Sequence, residues 1–209
     1  MARRPQCSAC LRPAAHCVCP YIKVVEHRTQ ILVLQHPDEF KHPLNTARLA
    51  VLGLAHAQCW VGEHFPDLAS CLQSARRPAL LFPGPAARTP QQWRNQAPAC
   101  LPDLLIVPDG TWRQAGRLVR ENACLTELPR LVLEPGAVSR YRVRHAQRDD
   151  AVSTIEAITH TLAALEPETD FTPLLRPFEA MIENQIRAMG EPAYTRHLAL
   201  SAKRSANKR

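Results

Sequence analysis

No run of about 18 consecutive apolar residues occurs in this chain of 209 residues, which excludes a membrane-spanning helix of the ordinary hydrophobic kind. The opening segment MARRPQCSAC carries basic residues but no apolar core of a secretory leader, so a cytoplasmic setting is expected. Glycine is scarce, 7 residues against 19 prolines, which predicts stiff connections. Internal repeats and low-complexity blocks are lacking, apart from the terminal SAKRSANKR, residues 201–209, expected to be a disordered basic tail that assists RNA binding. Acidic residues are in deficit too: 19 against 26 Lys and Arg, a formal charge of +7. Such a surplus favours polyanionic partners, because each neutralised phosphate releases condensed counterions. The length suits one α/β domain with a small appendage and a real hydrophobic core.

What the chain does have is eight cysteines, unevenly placed. Cys7, Cys10, Cys17 and Cys19 crowd into CSACLRPAAHCVC, while Cys59, Cys71, Cys100 and Cys124 are scattered. A C-x2-C followed by C-x-C resembles two short metal-binding knuckles. Tetrahedral zinc takes four soft ligands at about 2.3 Å, and tight local pairs lower the chain-entropy cost of gathering them. Disulfides are disfavoured in a reducing cytosol, so a closed structural Zn2+ site is the expectation. His16 adjoins Cys17, but four cysteines already complete the site. The scattered four read as small buried hydrophobes. Residues 1–24 are therefore expected to form a four-cysteine zinc module, too short to own a core without metal.

Residues 25–200 alternate in character. Ile31–Leu34, Gln58–Val61, Ala79–Phe82, Leu104–Val107 and Leu131–Leu133 read as strands, punctuated by helical segments. Alternating strands and helices imply a mainly parallel sheet flanked by helices. Asn45 is a plausible N-cap for a helix with Leu49, Leu52 and Leu54 on its apolar side. Phe178, Met181, Ile182 and Ile186 recur at helical spacing and read as core, and His27 and His160 as ordinary histidines.

The densest chemistry lies in LLIVPDGTWRQAGRL, where an apolar run stops at Pro108 and gives Asp109, Gly110, Thr111 and Trp112. That turn falls at the carboxyl end of a strand, where open α/β sheets bind ligands. Thr111 with Gln114 fits a capping box, so the next helix starts here with free N–H groups. As pure structure the same residues make a good turn and cap. Further on, Ser153 and Glu156 form an S-x-x-E capping box before another apolar helix, whose N-terminus suits a carboxylate or phosphate. Just upstream, Arg140, Arg142, Arg144, His145 and Arg148 make a cationic loop around Tyr141. It reads as an RNA backbone cradle or as a solvated basic loop.

In series, the C-x2-C-x6-C-x-C, QHPDEFKHPLNTARL, LLFPGP, PDGTW and STIEA segments closely resemble the DTW-domain family, tRNA-uridine aminocarboxypropyltransferases named for an Asp-x-Thr-Trp motif, here Asp109 to Trp112. The resemblance covers nearly the whole chain. It implies a SPOUT-related α/β domain over residues 25–200 with a trefoil-knotted cofactor site, S-adenosylmethionine as donor and tRNA as acceptor. Uridine N3 would attack the carbon γ to the donor's carboxylate, and methylthioadenosine would leave as a neutral thioether. Because the sulfonium is already a good leaving group, the enzyme has chiefly to position and deprotonate. Asp109 would accept the N3 proton or hold the donor's ammonium or sulfonium, Thr111 would add a hydrogen bond, and Trp112 would pack on a base or anchor the turn. Pro83, Gly84, Pro108, Gly110, Ser153, Thr154 and Glu156 are the segments expected to hold the donor, and Lys41, Arg48 and Arg113 are expected phosphate contacts. His36 and Asn45 lie in the family-like motif, with loop packing as their default role. Two other readings remain open: a zinc-bearing SPOUT-type RNA methyltransferase, and a non-catalytic RNA-binding zinc module.

Overall fold

The computed structural model describes residues 5–96, 98–134, 152–191 and 193–196. Its centre is a five-stranded sheet of β1 (Gln30–Gln35), β2 (Ala57–Val61), β3 (Pro78–Leu81), β4 (Leu104–Asp109) and β5 (Arg130–Leu131), in the order β2-β1-β4-β3-β5. Every pairing is parallel. The helices are α1 (Pro37–Phe40), α2 (Thr46–Leu52), α3 (Leu68–Ser74), α4 (Pro90–Gln96), α5 (Trp112–Glu121), α6 (Thr154–Leu165) and α7 (Arg176–Met189), with short 3-10 turns between.

Both faces of the central strands β1 and β4 are covered, which explains why they read as continuous apolar runs rather than as alternations, whereas the edge strand β2 keeps Gln58 and Val61 exposed. Ile31, Val33, Leu105 and Val107 point to one face, where Leu49, Ile155, Ile158, Leu162, Phe178 and Met181 of α2, α6 and α7 meet them. Leu32, Leu34, Leu104 and Ile106 point to the other, against Leu68 and Leu72 of α3 and Leu118 and Val119 of α5. Phe178, Met181 and Ile182 are buried as their spacing predicts, with Ile186 packed at the edge. The cysteine segment joins the first of these cores: Cys10 and Val18 are buried in it, and the turn Cys19–Tyr21 packs on α7.

Several boundaries differ from the sequence reading. β4 runs on through Pro108 to Asp109. Proline survives there because β3 pairs with β4 only as far as Leu80 opposite Ile106, so its missing N–H lies beyond the last rung on that side. β5 is only two residues, an edge strand whose continuation is redirected when Val132 N–H donates to the Arg88 carbonyl. α2 stops at Leu52, and Leu54 instead forms a parallel bridge with Val25. Of the scattered cysteines, Cys100 is exposed and Cys59, Cys71 and Cys124 are half-buried, none as deep as a core position.

At the amino edge, His27 is buried and held at both nitrogens. Nδ1 donates to the Thr29 carbonyl at 2.8 Å, and Nε2 accepts the His56 amide at 3.1 Å. That pairing requires the neutral ring, and burial first of all lowers its pKa from 6.5. The unfolded chain therefore binds the extra proton more readily, and the stability His27 supplies is full above about pH 6.5 and is lost as pH falls through the depressed native value. His27→Gln is expected to lower the melting temperature near neutrality. The gap between variant and wild type should then shrink as pH is lowered to about 5.5; a pH-independent gap would contradict the assignment.

Candidate active site and metal centre

In this strand order the connection leaving β1 runs to one side of the sheet, and the chain later returns as β4 on the other. The crevice between the carboxyl ends of β1 and β4 is thus a topological switch point, where loops diverge and leave room for a ligand. β1 ends in Gln35 and His36, and β4 in Asp109, with Gln35 opposite Asp109 in register.

Asp109 is 8% exposed, and both carboxylate oxygens are engaged. Gln35 Nε2 donates to Oδ2 at 2.7 Å, and the Thr154 hydroxyl donates to Oδ1. Gln35 is in turn locked by Asn45 in a reciprocal amide pair, Nε2 to Oδ1 at 3.2 Å and Nδ2 to Oε1 at 3.1 Å. Asn45 also caps α2 through the Arg48 amide at 3.0 Å and donates to the Glu39 carbonyl at 3.0 Å. One run of side-chain hydrogen bonds therefore ties the ends of β1 and β4 to the starts of α2 and α6. A carboxylate with two fixed donors is an oriented acceptor with one free direction per oxygen, suited to receiving a cationic or N–H group. Cys59 on β2 lies close by: burial, and then the Asp109 carboxylate, push its thiol up to about 11, with Arg48 opposing.

Both predicted capping boxes form. Thr111 Oγ1 accepts from Gln114 N while the Gln114 side chain accepts from Thr111 N. Ser153 and Glu156 do the same at α6, with Glu156 buried. α6 thus begins at Thr154, whose hydroxyl donates to the Asp109 carboxylate, and α5 begins at Trp112 on the turn that follows it, which adds partial positive charge to this edge. Gly110 passes so close to His36 and Gln114 that an added Cβ would lie 3.4 Å and 3.0 Å from their Cβ atoms. Trp112, at the first turn of α5, stays 46% exposed and leans on Phe82, ring centroids 6.0 Å apart. The indole therefore sits at the rim of this edge, in contact with the strand-end loop that follows β3.

The remaining site residues fall as follows. Pro83 and Gly84 follow β3, and the Arg130 side chain lies over them, Nη1 donating to the Pro83 carbonyl at 2.8 Å. A Cβ on Gly84 would meet that guanidinium at 2.4 Å, so the glycine is what lets Arg130 settle there. Pro108 is half-buried in the strand. Lys41 and Arg113 are exposed, and Arg48 is half-buried with its guanidinium 4.7 Å above the Phe40 ring. All three lie on connections that leave the carboxyl ends of β1 and β4. Arg140, Arg142, Arg144 and Arg148 lie outside the described residues, as does the 201–209 tail. Gln35 went unread in the sequence; its signal was a polar residue closing the apolar run ILVLQ.

The four clustered cysteines come together, all sulfurs within 4.8 Å of one another. Cys7 and Cys19 sulfurs are 3.6 Å apart and those of Cys10 and Cys17 3.9 Å. Sulfurs each about 2.3 Å from one zinc would stand about 3.8 Å apart, so the donor set fits a tetrahedral ion. Leu11 takes a left-handed φ of 55° to close the first knuckle, its N–H donating to the Cys7 carbonyl at 2.9 Å. The Cys10 and then the Ala9 amides lower the Cys7 thiol to about 6, while burial first of all raises Cys19 to about 12. A cation is what would let all four ionise together.

Fold and site define a parallel α/β domain with a polar switch-point crevice and a cysteine knuckle able to hold a metal. The chain belongs to the DTW-domain family, whose model matches residues 4–186. It is similar to proteins named tRNA-uridine aminocarboxypropyltransferase 2 from Macaca fascicularis and Mus musculus, 30% and 31% identical over 196 residues, or 88% of this chain. A protein of the same name from Drosophila melanogaster is 33% identical over 88% of this chain and 76% of its own length. The chain spans 65% of the length of the macaque and mouse relatives. No solved structure matches it. Among the described residues, no helix is long and apolar enough to cross a membrane.

Proposed function

We propose that this chain transfers the 3-amino-3-carboxypropyl group of S-adenosylmethionine to N3 of a uridine in tRNA, giving 3-(3-amino-3-carboxypropyl)uridine and methylthioadenosine. The observation that carries the reading is the Asp109 carboxylate, held by Gln35 and Thr154 at the switch point, in a chain similar to proteins named tRNA-uridine aminocarboxypropyltransferase 2. The uridine N3–C bond forms as the C–S bond breaks, the electron pair leaves on sulfur, and the N3 proton passes to solvent. Asp109 is a positioning acceptor for the donor's cationic ammonium, since both of its oxygens are already held in orientation. The Gly110 amide, Ser153 and Thr154 with the N-terminus of α6, and the Pro83-Gly84 loop surround the donor. Trp112 packs on a base or anchors the turn, and Thr111 and Glu156 keep their helix starts in place.

Lys41, Arg48 and Arg113, with Arg140, Arg142, Arg144, Arg148 and the basic tail, supply phosphate contacts in keeping with the +7 charge. Residues 1–24 hold a structural zinc, residues 25–200 form a SPOUT-type transfer domain, and the protein works in the reducing cytoplasm. Incubation with tRNA and S-adenosylmethionine labelled separately in its methyl and carboxyl groups tests the reading. Carboxyl label entering RNA with release of methylthioadenosine is expected. Methyl label in RNA would make the chain a methyltransferase, and binding without either label would make it an RNA-binding module; both results contradict the proposal.

A further inference from the structure

Asp109 and Thr111 lie two residues apart on one turn, yet they are tied down separately. Asp109 is fixed through its side chain by Gln35 and Thr154, and its carbonyl accepts the His36 amide at 2.9 Å. Thr111 is fixed by Gln114. The Gln114 amide oxygen accepts the Thr111 N–H and the Thr111 hydroxyl, both at 2.8 Å. Its nitrogen reaches across to the β1 connection, 3.1 Å from His36 Nδ1 and 3.0 Å from Asp38 Oδ2. Two lone pairs and two N–H groups therefore all have partners, and the amide has one workable orientation. Turning it over would set its N–H groups against the Thr111 donors and its oxygen against the Asp38 carboxylate.

His36 is equally determined. Its side chain is buried, with Nε2 3.0 Å from Glu63 Oε1. The carboxylate accepts, so in the neutral ring Nε2 carries the hydrogen and Nδ1 is the acceptor for Gln114 and for the Asp38 amide at 3.3 Å. Glu63 is itself held by Arg117 of α5 at 3.2 Å. A helix cap alone explains only the Thr111 half of these contacts. The His36 half joins the loop after β4 to the loop after β1 across the mouth of the crevice.

We propose that Gln114 and His36 are positioning residues for transfer: they hold the Gly110-Thr111-Trp112 backbone in register with the end of β1, so that the aromatic rim and the Asp109 carboxylate address one reacting geometry. This rests on the transfer reading above. Such a role acts on the reacting arrangement rather than on RNA grip, because a small misplacement forfeits the near-attack advantage.

Gln114→Glu separates cap from link. A carboxylate still accepts both Thr111 donors, as Glu156 does for Ser153, but it cannot donate to His36 and it faces the Asp38 carboxylate. The expected result is a melting temperature within a few degrees of wild type, unchanged tRNA affinity, and kcat lowered about tenfold or more. Combining Gln114→Glu with Asp38→Asn removes the carboxylate repulsion and returns an N–H donor between positions 114 and 38, but not to His36 Nδ1, and is expected to recover only part of that loss. Gln114→Ala, which removes cap and link together, is expected to lose kcat and also to melt several degrees below Gln114→Glu. Wild-type kcat in Gln114→Glu, or a kcat loss matched by an equal loss of tRNA affinity, overturns the positioning role while leaving the transfer reading intact. Absence of label transfer by the wild-type protein overturns both.

Discussion

Asp109→Ala is expected to abolish label transfer to tRNA while leaving the tRNA dissociation constant within about twofold of wild type. The carboxylate is 8% exposed and engaged by Gln35 and Thr154, so on the proposed function its removal is expected to affect donor binding and not RNA grip. Truncation also leaves one Gln35 N–H and the Thr154 hydroxyl without their acceptor, at a cost of about 1–3 kcal/mol, while Gln35 keeps its pair with Asn45. Asp109→Asn is the milder partner, since it keeps the shape and removes the charge. Losing a charge-assisted hydrogen bond to the donor's ammonium, about 1.5–3 kcal/mol, predicts donor binding weakened about 10- to 100-fold by calorimetry. Undiminished donor affinity with a lost chemical step would instead make Asp109 the base that takes the N3 proton.

The second large effect concerns the metal. Purified protein is expected to carry about one zinc per chain, and Cys10→Ser to lose it. Cys10 and Val18 are buried against the same core as α2, α6 and α7, so releasing the knuckle opens apolar surface in the main body as well as in the module. The melting temperature should fall by about 10 °C, as a loss of about 3–5 kcal/mol implies for a chain of this size. Chelation of the wild-type protein should do the same, reversibly on return of zinc. A native protein free of metal with an unchanged melting curve would refute the site.

The central strands were legible because a doubly covered parallel strand has little room for a polar residue; the half-exposed β2 and the two-residue β5 follow the reading less closely. Strand ends were less legible. Pro108 looked like a stop, yet pairing on its β3 side had already ended, so proline cost the ladder nothing. Leu54 shared helical spacing with Leu49, but Gly53 ends α2 and a bridge to Val25 claims the leucine. The capping boxes at Thr111 and Ser153 are local grammar and formed as written. Asn45 formed the α2 cap its position suggested, but Gln35 and His36 act at long range: their partners stand 74 and 78 residues away at Asp109 and Gln114. No spacing rule links such residues before the topology brings β1 beside β4. The arginine cradle expected at 140–148 lies outside the described residues.

A co-crystal of this protein with S-adenosylmethionine bears most directly on the account. Density for the donor should fill the crevice between β1 and β4, its ammonium within hydrogen-bond reach of Asp109 and its carboxylate near the start of α6. Donor bound elsewhere on the molecule, or no heat of binding in a calorimetric titration at millimolar donor, would contradict it.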